Sequence, residues 1–320
     1  MRFGVGDFSG QRPPGSPAAH GRLYAEMLEQ AGQIEAAGLD SMWVSEHHFA
    51  EDGYMASVLT IAAALLARTR RITVATDRLA ASLYDPVRLA EDAIALDLLS
   101  GGRFVLGLSL CYRDEEFAGL GVSRETDEAR LEAAARTLRD AFESRPVRGA
   151  HVTPPPRTRG GPPLMIAADG ESGAERSVRL ADMLMVDPTE PWAVVDAAVA
   201  RYDAARGDHD GELVLFTYGG LSEQGAEAAW ADVSDGFRYM RHNYDRWMGK
   251  RETEVLPPPH YRLLLGTPTE VAAQAADYRR RYGERVHLVL RCNYPGMTAA
   301  AVSRQIILWG EAANHVARTN

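Results

Sequence analysis

Short apolar runs alternate with longer stretches of helical periodicity along the whole chain. The strand-like runs cover residues 2–7, 41–45, 71–76, 104–110, 164–168, 183–186, 213–218 and 286–290. Between them, apolar positions recur at helical spacing. Residues 21–37 read as a helix closed by Gly38, and Ser57 is placed to cap a helix through Arg68. Pro86 suits the first helical position of a segment that ends before Ser100-Gly101-Gly102. Further helices are expected over residues 125–142, 173–181, 192–206 and 298–316. Thr267-Pro268-Thr269-Glu270 is a capping box that opens another. The charged stretch 222–250 also reads as helical and inserted.

Eight strands, each followed by helix, predict a (β/α)8 TIM barrel with insertions after strands 4 and 7, one domain over residues 1–320. A doubly wound open sheet is the rival. Its support would be Gly4-Val5-Gly6-Asp7-Phe8-Ser9-Gly10, but the third glycine comes one position late and Pro13-Pro14 follows instead of a helix. Residues 152–163 hold five prolines and two glycines. That composition forbids helix or central strand, and predicts a surface excursion.

Composition narrows the function. The 320 residues are 46% hydrophobic and 25% charged, a core-forming balance. The net charge of −9 argues against general nucleic-acid binding. The one basic cluster, Tyr278-Arg279-Arg280-Arg281-Tyr282, falls late in a helix, where cations suit the dipole and solvent. No apolar run approaches the roughly 18 residues of a membrane span. The start reads as a strand and not as a signal peptide, and a soluble cytoplasmic protein is expected. Two cysteines, Cys111 and Cys292, predict buried packing groups instead of a disulfide framework.

Trp43-Val44-Ser45-Glu46-His47-His48-Phe49 carries the most chemistry. A buried strand delivers a carboxylate and two imidazoles at its C-terminal end, where an α/β barrel keeps its active site. Glu46, His47 and His48 are therefore candidate catalytic residues for proton transfer. If the strand continues, alternation turns one imidazole to the barrel mouth and the other away. A structural histidine pair and a metal site are the rival readings. No matching ligand spacing occurs on other strand ends, so no metal is expected.

The run from Pro163 to Ala174 passes from a strand into Asp169-Gly170-Glu171-Ser172-Gly173 and a helix. Backbone N–H groups at such a helix start favour a phosphate, and an ordinary cap by Ser172 is the plainer alternative. Small residues toward the end of the fourth strand, Gly107 and Ser109, leave room for a flat ring system.

These residues together resemble the bacterial luciferase-like flavin-dependent monooxygenase family. The resemblance rests on residues 43–49, 92–104 and 163–181, and on Leu265-Gly266-Thr267-Pro268-Thr269-Glu270, in order over nearly the whole chain. It implies a TIM barrel, reduced FMN delivered by a separate flavin reductase, oxygen activation as a flavin hydroperoxide, a small organic substrate and a homodimer. A sister branch uses a deazaflavin for hydride transfer. The resemblance makes His47 the catalytic histidine, and places Gly170, Ser172 and Gly173 in the loop that holds the flavin phosphate. Arg130 matches a phosphate-contacting arginine across a small insertion. Thr76 and Asp77 fall where the ring lies, and Ser109 and Asp169 complete the expected cofactor-binding set. Two positions depart from the family. Leu110 takes the place of an arginine, and Asp77 puts a carboxylate beside the ring site. A non-catalytic flavin-binding subunit is therefore the alternative of another class. The substrate is expected to enter between residues 112–126 and 219–261.

Overall fold

The computed structural model describes residues 1–16, 18–167, 170–186, 191–206, 211–250 and 262–318, with 170–172 as helical backbone. Strands of aliphatic and aromatic residues form a parallel sheet because both of their faces find apolar cover. Those strands are β1 (Arg2–Phe8), β2 (Ser41–Val44), β3 (Thr73–Thr76), β4 (Leu79–Ala80), β5 (Phe104–Ser109), β6 (Leu164–Ala167), β7 (Met183–Val186), β8 (Leu213–Leu221), β9 (Leu263–Gly266) and β10 (Val286–Arg291). Pairing runs β1-β2-β3-β5-β6-β7-β8, and β10 pairs with both β8 and β1. That closes an eight-stranded parallel barrel, so the open-sheet rival is excluded. Two strands absent from the sequence reading lie outside the ring. The short β4 pairs with the end of β5, and β9 pairs with the extended tip of β8.

Alternation along the strands separates two cores. Trp43, Ala75, Val105, Met165, Met183, Val214, Phe216 and Val289 fill the barrel interior. Their neighbours Met42, Val44, Val74, Leu106, Leu164, Leu184, Leu215 and Leu288 face the helices. Trp43 meets Phe216 edge-on at 5.4 Å, a pair geometry worth about 0.5–1.5 kcal/mol beyond burial. The Trp43 indole N–H is satisfied by Ser41 Oγ at 2.7 Å. Gly107 permits a close approach between strands, since a Cβ there would meet the Thr76 carbonyl oxygen at 2.2 Å.

The helices are α1 (His20–Ala36), α2 (Val58–Arg68), α3 (Pro86–Ser100), α4 (Asp114–Leu120), α5 (Asp127–Phe142), α6 (Gly170–Leu180), α7 (Trp192–Arg206), α8 (Ala226–Trp247), α9 (Pro268–Tyr282) and α10 (Ala299–Arg318). Asp85 caps α3 through the Val87 and Arg88 amides, and Gly101 ends it at φ 72°. The capping box of Thr267 and Glu270 forms as expected. Ser57 does not cap α2; its hydroxyl pairs with Thr60 Oγ1 at 2.9 Å instead. The basic cluster at the end of α9 is spent on ion pairs, Arg280 with Asp277 and Arg281 with Asp196. Both cysteines are free and buried, and burial pushes the Cys292 thiol up to about 12. Among the described residues no helix is long and apolar enough to cross a membrane.

Candidate active site

A cavity of about 410 Å³ lies at the C-terminal mouth of the barrel, within the ~300–1,000 Å³ usual for small-molecule sites. A second cavity, of about 530 Å³, opens beside Arg2, Thr73, Phe104, Met183 and Glu212, at the N-terminal ends of the strands. Barrel enzymes place their chemistry at the opposite end, so the mouth cavity is the candidate active site.

Glu46, His47, His48, Asp77 and Ser109 all line it. The condition for the two imidazoles to diverge, a strand that continues, is not met. Regular strand ends at Val44, so the alternation that would separate them stops there. His47 instead pairs in an isolated antiparallel bridge with Met55, its N–H donating to the Met55 carbonyl at 2.9 Å. Phe49 then turns into the left-handed region at φ 52°. Both histidines line the cavity.

Glu46 is 5% exposed and acts as a strut. It accepts from the Ala80 amide at 3.1 Å and from the Tyr84 hydroxyl, tying the end of β2 to the chain after β4. His48 Nε2 sits 3.3 Å from Glu46 Oε1, in ion-pair range but off the hydrogen-bonding angle. That carboxylate raises the His48 pKa, against burial, which lowers it. A pKa raised in the fold gives stability that is complete below the unfolded value near 6.5 and lost as pH climbs through the folded value. The stability gap between wild type and His48→Gln is therefore expected to be widest near about pH 6 and to narrow toward about pH 8. Urea midpoints across that range measure it, and a gap independent of pH would refute the ion pair.

His47 is held from both sides. Its Nδ1 lies 2.9 Å from Glu116 Oε1, and its Nε2 lies 2.7 Å from the Tyr112 hydroxyl. The rings of Tyr54, Trp247 and Tyr112 pack around it at 4.7, 4.9 and 5.2 Å. Glu116 comes from α4, a helix within what the sequence presents as an unpatterned loop. Its acidic first turn suits the helix dipole, which hides the fact that one of the three carboxylates points inward. Asp114 and Glu115 are exposed, whereas Glu116 and Phe117 are buried. Glu116 also accepts from the His48 amide at 2.8 Å and the Cys111 thiol at 3.1 Å. Burial would raise its pKa, but these contacts with His47, Cys111 and His48 hold it below the ordinary carboxylate value. Arg113 lies over the Trp247 ring at 4.5 Å and reaches Glu116 at 3.4 Å, which balances the charge.

A second buried network forms the wall beside it. Arg291 is 1% exposed and pairs with Asp7. The Tyr244 hydroxyl lies 3.2 Å from Arg291 and 2.8 Å from the Tyr54 hydroxyl, which meets Ser45 Oγ at 2.5 Å. Sequence reasoning did not place Tyr54, Asp7, Arg291, Tyr112 or Glu116 in the site. Tyr244 and Trp247 lie on α8, inside the stretch the sequence presents only as helical and inserted.

The remaining candidates stand elsewhere. Thr76 is fully buried, and its hydroxyl both donates to the Gly107 carbonyl and accepts from the Gly107 amide. Arg130 is exposed on α5, where its Nε donates to the Ser82 carbonyl at 2.8 Å. Gly170 and Ser172 lie in the first turn of α6, Gly173 is buried, and Asp169 is outside the described residues. Leu110 and Cys111 do line the cavity. Burial and the Glu116 carboxylate push the Cys111 thiol far up, so it is held protonated and is no thiolate nucleophile. Among the described residues no group of three or more His, Cys, Asp or Glu could hold a metal ion.

Residues 1–318 match the family described as luciferase-like monooxygenase. The alkanal monooxygenase beta chain of Vibrio harveyi is 26% identical over 272 residues, covering 82% of this chain and 76% of that one. Matches to such relatives span from 30% to 76% of their own length. Among solved structures, monooxygenase RslO1 from Streptomyces bottropensis superposes with a TM-score of 0.84 at 23% identity, over 98% of this chain and 99% of that one. The oxygenating constituent of 3,6-diketocamphane monooxygenase from Pseudomonas putida, a complex with FMN, gives 0.79 at 14% identity over 99% of both. A family match over the whole length of a closed parallel barrel, with titratable groups gathered at its mouth, identifies this chain as an enzyme of the luciferase-like monooxygenase family.

Proposed function

We propose that the protein is a two-component monooxygenase that takes reduced FMN from a partner reductase and oxygenates a small organic substrate, as a cytoplasmic homodimer. The observation that carries this reading is His47 fixed between Glu116 and Tyr112 on the wall of the mouth cavity. Such a fixed imidazole is what proton transfer needs and what a passive binding subunit does not.

The residues present fit a flavin. Ala80 and Ser109 give a wall with little bulk, while Leu110, Met185, Phe216 and Tyr218 offer apolar surface for a flat ring. The α6 N-terminus opens after β6, and its first-turn N–H groups suit a phosphate. When bound, reduced FMN supplies the electrons that activate dioxygen. The chain supplies the rest. Glu116 orients His47, and the His47–Tyr112 pair holds and moves a proton at the cavity wall. The aromatic side chains of α8 cover His47 and keep water from it.

Anaerobic titration with reduced FMN tests the reading, followed by mixing with dioxygen. Binding and oxygen consumption support it. Binding of a deazaflavin alone, with hydride transfer under anaerobic conditions, would move the protein to the sister branch. Leu110 leaves the cavity wall without the family's arginine. Leu110→Arg is expected to restore a charge-assisted bond worth about 1.5–3 kcal/mol, tightening FMN roughly ten- to a hundredfold. Riboflavin, which lacks the phosphate, serves as control. An equal gain for riboflavin would show that the new side chain does not meet the phosphate.

A further inference from the structure

Both nitrogens of His47 are already engaged. Nδ1 faces Glu116 and Nε2 faces Tyr112, so neither is left for a third partner. Tyr112, like His47, lines the cavity. We propose that Tyr112 is the catalytic residue that exchanges a proton with the substrate, driven by His47 and Glu116 behind it. This rests on the reading of His47 as the proton-transfer group and moves the point of contact one residue outward.

The protonation states follow from the partners. Glu116 is held ionised, so it can only accept. Nδ1 of His47 therefore carries the hydrogen, and in the neutral ring the Nε2 lone pair accepts from the Tyr112 hydroxyl. A hydroxyl, an imidazole and a carboxylate in this order form the arrangement that activates nucleophilic hydroxyls in hydrolases. In the forward step an acidic X–H bond of the substrate breaks and its proton passes to Tyr112 Oη. The phenolic O–H bond breaks in the same step and that proton passes to Nε2. The resulting imidazolium faces the Glu116 carboxylate. The reverse step returns the proton to an oxyanion in the cavity. No electrons are exchanged between substrate and protein.

Burial pushes the Tyr112 phenol upward, Tyr244 and Glu116 add to this, and Arg78 and Arg113 oppose it. A free phenolate is thus not stored, and proton release requires His47 as acceptor. Tyr54 and Tyr244 share the cavity, but their hydroxyls pair with each other and with Ser45, Asp7 and Arg291. Those partners do not include an imidazole. Of these three cavity tyrosines, Tyr112 is the one whose hydroxyl meets an imidazole nitrogen.

Benzenesulfonyl fluoride tests this on the protein without any flavin. Attack by Tyr112 forms an O–S bond, breaks the S–F bond, releases fluoride and leaves the phenolic proton on His47. Peptide mass mapping is expected to find the label on Tyr112 and not on Tyr54 or Tyr244. The rate should fall at least about tenfold in His47→Gln, by the usual weight of a positioned base. Tyr112→Phe should abolish labelling. Glu116→Gln is the second variant, also expected to slow labelling, should His47→Gln fail to give a folded circular dichroism spectrum. Absence of label on Tyr112, equal label on Tyr54 and Tyr244, or an unchanged rate in a folded His47→Gln or Glu116→Gln protein would overturn the proposal. Failure of the flavin reading would appear separately, as no FMN binding beside an intact labelling pattern.

Discussion

Replacing His47 with alanine is expected to lower oxygenated product by about 10²–10⁴-fold, the usual contribution of a positioned acid–base group. Alanine removes the acceptor opposite the Tyr112 hydroxyl and the donor opposite Glu116 at once. It also leaves a gap between the rings of Tyr54 and Trp247, which water can enter. Two consequences follow in one assay with reduced FMN, dioxygen and a turned-over substrate. Product falls, and hydrogen peroxide released without product rises. Flavin binding is expected to change little, because the phosphate is assigned to the α6 end of the site. Wild-type product yield with wild-type peroxide release in His47→Ala would remove His47 from the chemistry.

Asp7→Asn is expected to destabilise the fold by about 3–5 kcal/mol, because it strips the countercharge from a guanidinium that is 1% exposed. Burial works against the Arg291 charge, yet Asp7 leads the groups that hold its pKa well above the ordinary value. A guanidinium keeps its proton even without that support, so losing the carboxylate leaves an unpaired buried charge. Asparagine is the informative replacement, since position 7 sits at φ 61° and asparagine tolerates that conformation. The loss then reports charge and not backbone strain. Arg291→Met combined with Asp7→Asn should cost less than the two single losses added, because the isolated charge is gone. Urea midpoints of the four proteins measure it. A loss under about 1 kcal/mol in Asp7→Asn would mean the pair is solvated in solution.

The barrel was legible in the sequence because each strand carries its own signal, an apolar run bounded by caps and turns. Met183–Val186 and Trp192–Arg206 begin and end where the pattern puts them. The misses have local causes. The two residues of β4 are too few to show a period, and β9 exists because the tip of β8 offers it an edge. Ser57 has the composition of a cap, but its hydroxyl found another partner.

The site was half legible. A carboxylate and two imidazoles after a buried strand announce a barrel mouth, and the chain delivers all three there. What holds them is not local. Glu116 stands 69 positions from His47, and Arg291 stands 284 from Asp7. No spacing rule links such pairs. The strand alternation rule also fails at His47 and His48, since it applies only while the extended ladder lasts.

The cover over His47 comes from the far end of α8, through Tyr244 and Trp247. That helix is packed on the outside of a ring that closes through β8, β10 and β1 without it. Its opening is therefore a local event, with a free energy below that of melting the whole barrel. The imidazole of His47 would lose its roof while the parallel sheet remained intact. Activity and global structure thus have separate thresholds in this molecule. Amide protons of α8 should exchange with solvent sooner than those of the ring strands, and warming should silence the enzyme before it unfolds it.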